Sequence, residues 1–96
     1  MAQDKHADNK YYEQIRTIGT EAVESDQAGT GNSTLTTTNP VAFIDIFNGG
    51  SSNLSISAGG VTRLVPAGSA SLCEFPSLET SFVINADGAW IARPCK

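Results

Sequence analysis

Histidine, cysteine, tryptophan and charge are all scarce in this chain of 96 residues, and each shortage removes a class of function. His6 is the only histidine and stands in a polar stretch, where it reads as a bystander rather than a general base. Cys73 and Cys95 are too few for a disulfide scaffold and lack the spacing of metal ligands. No glycine-rich phosphate loop lies between a strand and a helix, no cysteine stands with a positioned base, and no carboxylates cluster at metal spacing. Asp45 lies in an apolar run without a second acid or a histidine, so it reads as an exposed residue or ion-pair partner near a strand end rather than a catalytic carboxylate. The expectation is a protein without catalytic, cofactor or metal residues.

Charge of one sign is also missing. The net charge is −4, with three basic residues against six acids in residues 1–38 and three against four in the remainder. Neither part holds a basic patch, which argues against a nucleic-acid partner. No apolar run approaches the roughly 20 residues that span a bilayer, so no membrane partner is expected. Met1 to Lys10 is polar where a secretory signal needs an apolar run, and the expectation is synthesis in a cytoplasm.

What is present divides at Thr38 into a polar arm and linker, 1–38, and a β-rich body, 39–96. In the arm, Tyr11, Ile15, Ile18 and Ala22 recur at spacings of four, three and four, a narrow helical stripe weakened by Gly19 and by β-branched Thr17, Ile18 and Thr20. Two readings stand: a solvated tail, or an arm that orders when it docks on another subunit. Ala28 to Asn39 is Gly, Ser, Thr and Asn almost throughout and reads as a linker; its threonines suit a strand only where another sheet offers an edge.

The body is organised around Asn48 to Phe75. Three short strand-like runs, Asn53 to Ala58, Val61 to Val65 and Ser69 to Phe75, are punctuated by Gly59-Gly60 and by Pro66-Ala67-Gly68, the pattern of a β-meander. A two-residue turn would pair Ile56 with Arg63; a three-residue turn that includes Val61 would pair Ile56 with Leu64 and turn Arg63 outward. The second is preferred, since an unpaired buried guanidinium costs several kcal/mol. Before this region, Val41 to Phe47 is apolar on both faces and reads as a central strand. After it, Thr80 to Ala86 and Ala89 to Arg93 flank Asp87-Gly88, which predicts a hairpin with Ile84 facing Ile91. Trp90 falls on the opposite face, either in a second layer or at an interface. The whole predicts an all-β fold, a small sandwich or partly open barrel of about six short antiparallel strands, with an extended or partly helical N-terminal arm. Cys73 is a buried thiol, half of an intrachain bridge to Cys95, or half of a bond between subunits.

The run SNLSISAGGVTRLVPAGSASL, residues 52–72, resembles a pattern in small virion proteins of tailed bacteriophages: strand, Gly-Gly, strand, Val-Pro-Ala-Gly-Ser, strand. The resemblance covers about a quarter of the chain and implies a capsid decoration, or cement, protein on the capsid surface of a virion. Its partner would be the major capsid protein or another virion protein, and it would gather as a homo-oligomer, a trimer by analogy. On this reading Tyr11, Tyr12, Ile15 and Ile18 are arm anchors, Arg63 and Trp90 are contacts on the body, and Cys73 and Cys95 are covalent locks if any exist. A neck, tail or fibre component would use the same fold. A carbohydrate-binding surface module would need exposed aromatics, for which only Trp90, Tyr11 and Tyr12 could serve.

Overall fold

A computed structural model describes residues 21–95, and the fold is all-β. Six strands, β1 (Gln27–Thr30), β2 (Ser33–Asn48), β3 (Leu54–Ala58), β4 (Val61–Val65), β5 (Ala70–Asn85) and β6 (Ala89–Cys95), form one antiparallel sheet in the order β1-β6-β2-β5-β3-β4. Val41 to Phe47 does lie at the centre, laddered to β5 on one side and to β6 on the other.

One sheet with a fully buried face must curl over itself, and the two 16-residue strands do the bending. Between Glu74 and Glu79 β5 advances five residues while β2 advances two, from Phe43 to Val41; the imbalance then reverses, with two residues of β5 against five of β2 down to the Thr36–Ser81 pair. Such bulges kink and twist a ladder, and each holds a proline, Pro76 in the first and Pro40 in the second, where a missing N–H costs no ladder bond. The bend in β5 is sharp. Seven residues of extended strand span roughly 23 Å, yet the rings of Phe75 and Phe82 meet with centroids 5.2 Å apart. The inward alternation changes phase once in each long strand, from Leu35, Thr37 and Val41 to Ile44, Ile46 and Asn48 in β2, and from Cys73 and Phe75 to Phe82 and Ile84 in β5. One continuous core therefore gathers residues from every strand between β2 and β6.

Several pairings differ from the sequence expectation. The stretch read as a linker is in the sheet: β1 and the first residues of β2 find edges within their own chain, along β6 and β5, so the body does not begin at 39. The Gly59-Gly60 turn has two residues, both at positive φ (59° and 79°), and pairs Ile56 with Arg63. The three-residue alternative rested on Arg63 being buried there. It is exposed instead, because β4 is the outermost strand, and its Nε finds Glu74 O on β5. Residues 53–75 are not a meander, since β5 returns beside β3 and β2 rather than beside β4.

Asp87-Gly88 makes no hairpin either. Strands β5 and β6 lie on opposite sides of β2, and the connection between them crosses the end of β2 so closely that a Cβ on Gly88 would strike the backbone of Gly50. Asp87 spends its carboxylate on the crossing: Oδ1 accepts from Ser51 N (3.1 Å), and Oδ2 from the hydroxyls of Ser51 (2.8 Å) and Ser52 (2.7 Å). Those serine hydroxyls hold its carboxyl down at about 2. Beneath the crossing, Asn48 is fully buried. Its Nδ2 donates to Ser52 O and Val65 O, both at 2.9 Å, and its Oδ1 accepts from Gly50 N at 2.9 Å.

Candidate binding face

The curled sheet has an outer face, and the alternation along β2 and its two ladders, to β5 and β6, decides what that face carries. In β2 the residues that alternate with the inward Ile44, Ile46 and Asn48 are Phe43, Asp45 and Phe47. The ladders place Ile91 and Ala70 on either side of Phe47, Arg93 and Leu72 on either side of Asp45, and Cys95 and Glu74 on either side of Phe43. Phe47, Leu72 and Ile91 are 42%, 40% and 48% exposed, an apolar patch across three adjacent strands. Ile91, expected to share a face with Ile84, is on this outer surface because its real neighbour is Phe47.

Polar groups rim the patch. Arg93 Nε and Asp26 Oδ1 meet at 3.1 Å, both side chains nearly half exposed, and this contact with Asp26, helped more distantly by Asp45, raises the guanidinium's affinity for its proton. Solvent at that exposure leaves such a pair worth little to stability, so its effect is to hold Arg93 in place. Asp26, Asp45, Phe47, Ala70, Ile91 and Arg93 line an open depression of about 290 Å³. Half-buried Asp45 lies three residues from the end of β2, opposite Arg93, as the reading of an ion-pair partner near a strand end expects. The surface suits contact with another macromolecule: apolar at its centre, charged at its margin, and shallow.

Trp90, expected as a second-layer residue or an interface contact, is 3% exposed and belongs to the core. It faces Gly29 across the β1–β6 ladder, where a Cβ would fall within the indole, and Nε1 donates to Gly31 O at 3.2 Å. It presents no ring to a partner or a sugar. Arg63 is exposed at the rim of β4, with Nε donating to Glu74 O at 2.8 Å. Tyr11, Tyr12, Ile15, Ile18 and His6 lie outside the described residues.

The cysteines form no disulfide. Cys73 on β5 and Cys95 on β6 flank β2 two strand spacings apart, roughly 10 Å, beyond the ~7 Å over which Cα atoms can be bridged. Both are buried, which also removes them from any link between subunits in this conformation. Burial pushes the Cys73 thiol up to about 11, against a smaller opposing pull from Arg63, so it stays protonated and unreactive at neutral pH.

Sequence reasoning missed Asn48, Asp87 and the apolar patch. A buried Asn before Gly-Gly was legible as a turn signal only, and the patch depends on strand order, which no local pattern carries. Among the described residues no group of three His, Cys, Asp or Glu is placed to hold a metal ion. No known protein family, curated protein or solved structure matches this chain.

Proposed function

We propose that the chain is a non-enzymatic structural protein that works by docking its outer sheet face on other proteins, and that its setting is a virion, as a capsid decoration protein bound to the major capsid protein. The observation that carries the reading is the patch of Phe47, Leu72 and Ile91, about half exposed on three neighbouring strands and bordered by the Asp26–Arg93 pair. An apolar centre with a charged rim matches the anatomy of protein interfaces, in which buried apolar area supplies affinity and rim charges supply orientation. The virion setting rests on the resemblance of residues 52–72 described above. Many copies on one shell would stabilise it by mass action even where each contact is modest.

The test is co-sedimentation of the full chain with shells assembled from the major capsid protein of the same particle, followed by thermal melting of those shells. Wild type is expected to be retained in a fixed ratio and to raise the melting temperature. The Phe47→Asp and Ile91→Asp variants, which change exposed positions, should fold normally and be lost from the pellet. Retention of both variants at the wild-type level would refute the docking face; absence of wild type from the pellet would refute the capsid partner.

A further inference from the structure

A second feature of the surface is an unclosed seam in the sheet. The outer edge of β4 and the first half of β5, residues 70–75, follow one another through a four-residue connection, Pro66 to Ser69, yet no backbone ladder joins them among the described residues. They border a groove of about 320 Å³ lined by Arg63, Leu64, Ser71, Leu72, Cys73 and Glu74.

The backbone groups on both banks point into this groove. In a two-residue hairpin the residues flanking the turn form a hydrogen-bonded pair, so Ala58–Val61, Ile56–Arg63 and Leu54–Val65 face each other, and the N–H and C=O of Thr62 and Leu64 point away from β3. On β5 the Glu74 carbonyl accepts from Arg63 Nε and so points away from β2; the alternation gives Leu72 the same direction. A side chain thus makes the bond to Glu74 that a strand's N–H would otherwise make.

We propose that this seam is a strand-acceptor site, and that its occupant is the N-terminal segment of the same chain, residues 1–20. The root of that segment and its length support the assignment. Ala22 is bridged to Cys95 and Val23 N donates to Pro94 O, which anchors the chain at the end of β6. Cys95, Phe43, Glu74 and Arg63 form a single row across the sheet from that anchor to the groove. Three strand spacings separate Ala22 from Glu74, roughly 14 Å, and extended chain covers that in about five residues, which brings Tyr11 to Arg16 alongside the seam. Residues 1–18 contain neither proline nor glycine, so every residue there keeps an N–H and a side chain to offer. Glu13 would supply a carboxylate to Arg63 once that guanidinium leaves Glu74 O. Pairing of two copies through β4 is disfavoured, because a two-fold axis through Arg63 sets like charges opposite each other. The crossing row runs along the Phe43 end of β2 and leaves Phe47 and Ile91, at the other end, open for the docking proposed above.

The experiment is residue-resolved amide hydrogen exchange on the full chain at two concentrations, comparing wild type with Tyr11→Asp/Ile15→Asp. In wild type the amides of Thr62, Leu64, Leu72 and Glu74 are expected to exchange slowly and independently of concentration. In the double variant they should exchange at least about tenfold faster while Ile44 and Ile46 are unchanged. Equal exchange in both proteins overturns the proposal, and protection that rises with concentration assigns the seam to a second copy. Should the double variant lose core protection as well, a nitroxide at Gln14→Cys decides: broadening at Thr62 and Leu64 in the folded monomer supports the assignment, and its absence overturns it.

Discussion

Asn48→Ala is the substitution whose cost follows most directly from the structure. The Asn48 side chain makes three hydrogen bonds, two from Nδ2 to Ser52 O and Val65 O and one from Gly50 N to Oδ1, at a position with no solvent exposure. At about 1 kcal/mol net for each bond, alanine should destabilise the fold by about 3 kcal/mol. In a domain of this size that corresponds to a fall in Tm of roughly 12–24 °C. Asn48→Asp separates hydrogen bonding from volume, since a carboxylate still accepts from Gly50 N but presents oxygen to two carbonyl oxygens. It should be no more stable than the alanine variant at neutral pH. Urea denaturation of wild type, both variants and the exposed control Asn53→Ala measures the differences through shifts of the midpoint at constant slope. A loss below about 0.5 kcal/mol for Asn48→Ala, or an Asp variant as stable as wild type, would refute the view that this amide ties β2, the 49–53 loop and β4 together.

Gly29→Ala should lower stability by roughly 1–3 kcal/mol through overpacking, because the new methyl would fall within the Trp90 indole; a thermal melt measures it, and a red-shifted tryptophan emission should accompany it. A variant as stable as wild type would show that β1 can shift freely on β6. Asp87 gives a pH prediction. Its carboxyl is lowered from 3.8 to about 2, so its contribution to stability is complete above the unfolded value and is lost as pH falls from about 4 toward 2. Urea midpoints at about pH 5 and about pH 2.5 should fall further for wild type than for Asp87→Asn; an equal fall would remove Asp87 as a titrating contributor.

What the sequence disclosed was local. The Gly-Gly dipeptide at 59 and 60 marks a hairpin because only a few residues take positive φ at two successive positions, and both do. The central place of Val41 to Phe47 follows from apolar side chains on both faces, although the outer ones, Phe47 and its neighbour Ile91, remain half exposed rather than covered. The failures share one cause. Arg63 was placed by the cost of burying a guanidinium, and Asp87-Gly88 by the best-known hairpin dipeptide, but both judgements needed to know which strand lay alongside. Arg63 lies at the rim, and Asp87 faces Ser51 and Ser52 across a chain crossing. Composition misled for residues 28–39 as well: a stretch of Ser, Thr and Gly looks like solvent-exposed linker, yet Leu35 and Thr37 from it are buried. The apolar patch was hidden for the same reason, since it assembles Phe47, Leu72 and Ile91 from three strands whose adjacency has no local signature.

The strand order β1-β6-β2-β5-β3-β4 sets the tempo at which this molecule can form. Among the described residues only β3 with β4, of five neighbour relations, joins strands consecutive in the chain, so the Gly59-Gly60 hairpin can form in microseconds without closing a long loop. Every other ladder waits on loop closure, which places the chain among slow, topologically complex folders, on the millisecond-to-second scale. During synthesis β1 emerges before the other described strands and has no partner in the sheet until β6 has followed it, so until then the edge that β6 will cover stays open to other chains.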